Sequence, residues 1–188
     1  MPAFTKPSLH CAPQAALDTL EKAREFYGYL PNLLLSMSPA PVLAKGYLEL
    51  SGLAEQMDLT SRERQLVMLT VSRHHHCGYC IAGHSVKGEQ QGLSPALIEA
   101  IREEEPVSHP KLAILREFTL KMVASHGGIE QPDLEAFLRA GYSQANALEV
   151  IALIGLKVMS NYTNRLVGTD TDDVNMAGCW QPNRPSNG

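Results

Sequence analysis

Residues 60 to 92 read TSRERQLVMLTVSRHHHCGYCIAGHSVKGEQQG. Thr60 with Glu63 three residues later is a capping box, so a helix opens there and carries Leu66, Val67, Leu69 and Val71 toward Arg73. Gly78 reads as the break just past its end, and the next helix opens around Cys77 and runs to Gln91, where Gly92 stops it. The stretch is therefore a helical hairpin with two cysteines at its turn.

Working outward, apolar residues recur at helical spacing along nearly the whole chain, and no run alternates with period two between strand-type flanks. The fold class is all-α. A first helix covers about Gln14 to Tyr27 and ends near Gly28, and Pro39 and Pro41 sit in the opening turn of one running to about Met57. Ser94 with Pro95 and then Pro110 open two more, to about Glu104 and Ser125. Gln131 to Arg139 is short, and Ser143 caps a long last helix to about Leu166.

That is about eight helices in a single domain over residues 14–167, between an irregular segment 1–13 and an irregular tail 168–188 anchored by Trp180. The helix pairs 60–91 and 131–166 have the outline of an internal repeat, without sequence similarity strong enough to establish one.

Composition narrows the function. Hydrophobic residues at 44%, charged residues at 19% and a net charge of −4 are ordinary globular values, and no basic cluster with interleaved aromatics offers a nucleic-acid surface. The N-terminus has no apolar leader, and the most apolar run, Val150 to Met159, is interrupted by Lys157, so neither a signal peptide nor a membrane span is expected. This points to the cytoplasm, where paired cysteines serve redox, catalytic or metal chemistry rather than scaffolding.

On a helix Cys77, Cys80 and His84 stand at i, i+3 and i+7, on one face. Residues three apart have Cα atoms roughly 5 to 6 Å from each other, so a disulfide can open and close locally. The helix N-terminus favours a thiolate, and His84, one turn beyond Cys80, is placed to carry a proton or steady the anion. Zinc is the rival, with one of His74 to His76 as fourth ligand, but Cys77 and His84 lie about 10 Å apart along a continuous helix, too far to converge on one ion. Haem attachment needs histidine where Ile81 stands, and a thioredoxin site needs strands. A pair of merely buried cysteines is the bland alternative. Of the three consecutive histidines, which point three ways, one is expected to be buried and hydrogen-bonded and two solvated.

GYLPN at 28–32, SRERQLVMLTVSR at 61–73, CGYCIAGHS at 77–85 and AGYSQANALEVIALIGLKVMSNYTNRL at 140–166 resemble the alkylhydroperoxidase D family, within the broader carboxymuconolactone decarboxylase-like group. The resemblance covers Gly28 to Leu166. It implies an all-helical homo-oligomer, commonly a trimer or hexamer, that reduces hydroperoxides with a cysteine pair and no cofactor or metal, and draws electrons from a dithiol or protein reductant. It further implies that Cys80 attacks the peroxide and becomes a sulfenic acid, that Cys77 resolves it to a disulfide, and that His84 belongs to the proton relay.

One position departs. The family's relay glutamate, twelve residues before the first cysteine, is Gln65 here, which hydrogen-bonds but takes no proton. Glu63 lies ~200° around the helix and faces away. His75, His76 or Tyr79 are the substitutes at hand, with nothing in the sequence to choose among them. Two other functions stand beside peroxidase: an acid–base lactone decarboxylase or isomerase, disfavoured by the cysteines, and a non-enzymatic redox sensor, favoured by Gln65.

Overall fold

A computed structural model describes residues 8–182. Nine α-helices lie among the described residues: α1 Leu17–Tyr27, α2 Asn32–Met37, α3 Pro41–Ala54, α4 Ser61–His74, α5 Gly78–Gln90, α6 Pro95–Arg102, α7 Pro110–Ala124, α8 Gln131–Arg139 and α9 Gln144–Val167. Short 3₁₀ turns cover Leu9–Cys11, Gln14–Ala16 and Asp173–Gly178. The helix beyond the expected eight is α2, a six-residue element behind Pro31. It is too short to show a periodic apolar stripe.

Local chemistry sets the boundaries. Thr60 and Glu63 form the capping box of α4, Ser143 and Asn146 that of α9, and Ser94 caps α6. Pro41, Pro95 and Pro110 stand at the helix starts, where a missing N–H costs nothing. Gly28 (φ 77°) and Gly168 (φ 71°) end α1 and α9 in the left-handed region.

α4 is the axis of the molecule: every residue from Glu63 to Arg73 is buried, and α5, α6, α7 and α9 pack around it. A helix buried all round needs apolar residues on every face, and Leu66, Val67, Leu69 and Val71 are fully enclosed. At the far end Phe137 stacks between Phe118 and Tyr142, with ring centroids 4.1 and 4.6 Å away. Each such contact adds about 0.5–1.5 kcal/mol to the burial itself. α9 covers α3, α4 and α5 with one face, and the Asp173–Gly178 turn packs on α5. Trp180 donates to Glu103 at 2.9 Å, and the Arg73 guanidinium lies over its ring at 5.2 Å. Among the described residues no helix is long and apolar enough to cross a membrane.

Candidate active site

The turn between α4 and α5 is made by the histidines. His76 adopts φ 53°, its N–H bonds Arg73 O at 3.0 Å, and the Cys77 N–H bonds Ser72 O at 3.0 Å. These two bonds are a Schellman closure, with histidine at the left-handed position usually given to glycine. The break expected at Gly78 therefore falls at His76, and Gly78 is the first residue of α5. His74 and His76 are exposed, while half-buried His75 accepts from Asn161 Nδ2 at 3.0 Å.

This tight turn makes Cys77 the N-cap of α5 and puts Cys80 in its first turn and His84 one turn on. Both thiols are free and buried, 1% and 3% exposed. A cavity of about 590 Å³ opens onto Cys80 and His84, walled by Phe26, Tyr27 and Tyr29 from the α1 region and Tyr47 from α3. Lys157 of α9, 1% exposed, lines it as well.

The hydrogen bonds define the charge states. Lys157 Nζ lies 2.7 Å from His84 Nε2, and Gln65 Oε1 lies 2.9 Å from Nδ1. An ammonium only donates, so Nε2 accepts; the one proton of a neutral ring then sits on Nδ1 and is donated to the Gln65 oxygen. Burial, reinforced by the charges of Lys157 and Lys87, holds His84 well below the usual histidine range, which matches the neutral ring.

Burial also pushes the Cys80 thiol up, but the Cys77 thiol donating to it, the Lys157 charge, and bonds from Asn164 and Ser160 together outweigh this and bring it down to about 6. The Asn164 Nδ2 donates to Cys80 Sγ at 3.3 Å. Cys77 moves the other way, raised by the hydrogen bond it gives Cys80, by burial and by the Cys80 charge. The Tyr47 hydroxyl is raised by burial and then by the same charge. The two cysteines are thus chemically unlike: one thiolate, one thiol.

Tyr79, between them, donates its hydroxyl hydrogen to Asp172 and accepts from the Leu33 N–H at 3.3 Å. Asp172 also accepts from the Asn32 N–H at 2.8 Å, so the start of α2 and the C-terminal strap are tied to the residue that separates the thiols. Further along, Arg102 donates to Gly178 O at 2.9 Å, and a Cβ on Gly178 would fall 2.2 Å from Ala82 O. Only glycine lets the strap lie this close to α5.

Cys77, Cys80, His84 and Gln65 are thus together, although both ring nitrogens of His84 are taken by Gln65 and Lys157. Glu63 is in the capping box and 3.4 Å from Lys111. His75 faces a different cavity, with His126 and Tyr162. Cys11 and Cys179 are exposed. Among the described residues no three His, Cys, Asp or Glu side chains converge as a metal site requires. Sequence reasoning missed Lys157, Ser160, Asn161 and Asn164, all buried on α9. Their signal is a polar stripe at i, i+3, i+4 and i+7 inside an otherwise apolar helix.

Residues 41–108 match the sequence model of the carboxymuconolactone decarboxylase family. No curated protein gives a match. Among solved structures, an uncharacterised peroxidase-related protein with an alkylhydroperoxidase AhpD core from Ralstonia eutropha JMP134 superposes with TM-score 0.78 at 19% identity, covering 91% of this chain and 92% of that one. A peroxidase-related protein from Silicibacter sp. TM1040 gives 0.77 at 19%, covering 93% of each. The debrominase Bmp8 gives 0.75 at 18%, covering 94% of this chain and 96% of its own. A variant of Bmp8 is also solved with 2,3,4-tribromopyrrole. At such identities the likeness is one of fold. Residues 41–108 thus carry a segment similar to the carboxymuconolactone decarboxylase family, and the chain as a whole has the alkylhydroperoxidase D-like fold.

Proposed function

We propose that the protein is a thiol-dependent peroxidase that reduces organic hydroperoxides through Cys80 and Cys77. The observation that carries this reading is a buried thiol lowered to about 6, open to a cavity and backed by a second, protonated thiol. The Cys80 thiolate attacks the outer oxygen of the peroxide; the O–O bond breaks, leaving a sulfenic acid and an alkoxide that takes up a proton to become an alcohol. Cys77 then loses its proton, attacks the Cys80 sulfur and expels water, closing a disulfide. An external dithiol or a protein reductant returns two electrons and two protons. The electron pair that cleaves the peroxide is the thiolate's, so neither cofactor nor metal enters the cycle.

Incubation with an alkyl hydroperoxide and a small dithiol should consume peroxide, and, with the dithiol omitted, one equivalent of peroxide should leave a Cys77–Cys80 link that peptide mapping finds. Peroxide left untouched by fully reduced protein would sink the reading. The aromatic cavity wall and the debrominase fold favour a second reading, thiol-dependent removal of bromine from a small aromatic ring. Bromide release from a polybrominated pyrrole, with no peroxide consumption, would select it. The decarboxylase and isomerase alternatives use acid–base groups alone and leave the buried cysteine pair without a role.

A further inference from the structure

We propose, on the basis of the peroxidase reading, that Lys157 is the proton donor to the oxygen that leaves the peroxide.

Lys157 is fully enclosed, lines the same cavity as Cys80, and is held at 2.7 Å by the Nε2 of a neutral histidine. Among the described residues no carboxylate lies within ion-pair distance of it. Glu55, at the cavity rim, is taken by Arg64 at 2.6 Å and Lys87 at 3.3 Å. The titratable groups that feel its charge are Cys77, Cys80 and His84 around the start of α5, His75 after α4, and Tyr27 on α1. Of these only the Cys80 thiolate is an anion.

A buried charge without a partner is costly, so the fates of the two charges are linked. When Cys80 attacks, its negative charge is transferred to the departing alkoxide, formed in the same enclosed space. The ammonium is the proton source that faces it. The Nδ1 hydrogen of His84 is directed at Gln65, and Gln65 has no proton to relay. His84 is then a positioning residue, its Nε2 lone pair aiming the lysine.

The balance closes. Thiolate, thiol, ammonium and ROOH become disulfide, neutral amine, ROH and water, with no proton exchanged with solvent. Reduction by an external dithiol splits the disulfide, restores the thiolate and thiol, and returns the second proton to the amine.

The test uses two oxidants and two variants, Lys157→Arg and Lys157→Met, with melting curves confirming that each folds. Single-turnover oxidation of Cys80 is measured with an alkyl hydroperoxide, whose alkoxide needs a proton, and with a peroxy acid, whose carboxylate does not. Each rate is divided by the iodoacetamide alkylation rate, which corrects for thiolate fraction. The expected result is a hydroperoxide rate lower by about 10²-fold or more in both variants, with the peroxy acid rate spared. An equal loss for both oxidants, or none, overturns the donor role while leaving the peroxidase reading intact. A wild type inert to hydroperoxide overturns that reading, and this proposal with it.

Discussion

At position 65 an amide oxygen meets His84 Nδ1 at 2.9 Å, on the side of the ring away from Lys157. A carboxylate there would be a second anion competing with the Cys80 thiolate for one buried cation. Gln65→Glu restores the family's usual residue, yet it should raise the pH midpoint of Cys80 alkylation from about 6 by about one. An unchanged or lower midpoint would show that the thiolate owes little to Lys157. The low thiol also makes stability depend on pH. Between about 6 and its ordinary 9.0, Cys80 is ionised in the folded chain and protonated in the unfolded one. The unfolded state binds more protons there, so this contribution grows as pH rises through the window and is lost as pH falls through about 6. His84, depressed in the fold, adds loss in acid of the same sign. The melting temperature of the reduced protein should therefore climb over this range more steeply than that of Cys80→Ser. The cysteines themselves separate cleanly: Cys80→Ser should end peroxide consumption, whereas Cys77→Ser should still be oxidised once and hold a sulfenic acid on Cys80 that a dimedone probe labels. Sulfenic acid on Cys77 in an active Cys80→Ser protein would reverse the assignment.

Among the elements, the strap over α5 depends on one absent side chain. Gly178→Ala places a methyl group 2.2 Å from Ala82 O, a backbone atom that cannot turn aside. Lifting the strap should cost about 1–3 kcal/mol, read as a lower urea midpoint, and should speed alkylation of Cys80 by a bulky maleimide. A variant as stable and as protected as the wild type would mean that the strap contributes nothing to closure. Nothing in the sequence announces this contact, because Ala82 and Gly178 meet only through the fold. The hairpin of α4 and α5 was legible: its capping box, its stop and the i, i+3, i+7 spacing are local signals. Local signals place the turn inside it two residues late, at Gly78, because a left-handed histidine carries no such mark. In α9, Lys157 was visible as an interruption of an apolar run, and the stripe it forms with Ser160, Asn161 and Asn164 is helical arithmetic. What it faces is not, since His84 and Cys80 lie 73 and 84 positions away.

Taken whole, the molecule leaves apolar surface in water. Leu148, Ile151, Tyr162 and Leu166 are 67%, 49%, 57% and 71% exposed at helical spacing along the outer side of α9. Exposed apolar side chains gathered on one helix face are the kind of patch through which chains associate. Light scattering at micromolar concentration should find a species larger than 20.6 kDa, and Ile151→Glu with Leu148→Glu should shift it toward the single chain. A monomer in the wild type would assign the patch to some other contact.

The tie between Tyr79 and Asp172 spans 93 residues, and that between Arg102 and Gly178 spans 76. A ribosome delivers these partners in order, so the cysteine hairpin emerges long before the segment that covers it. During that interval the thiols of a nascent chain lack their strap, and the α9 asparagine and lysine that distinguish one thiol from the other have also yet to be made. The proposed selectivity of Cys80 over Cys77 is consequently expected only late in synthesis. A stalled chain ending at residue 150 should react at both cysteines alike, and the completed chain at one.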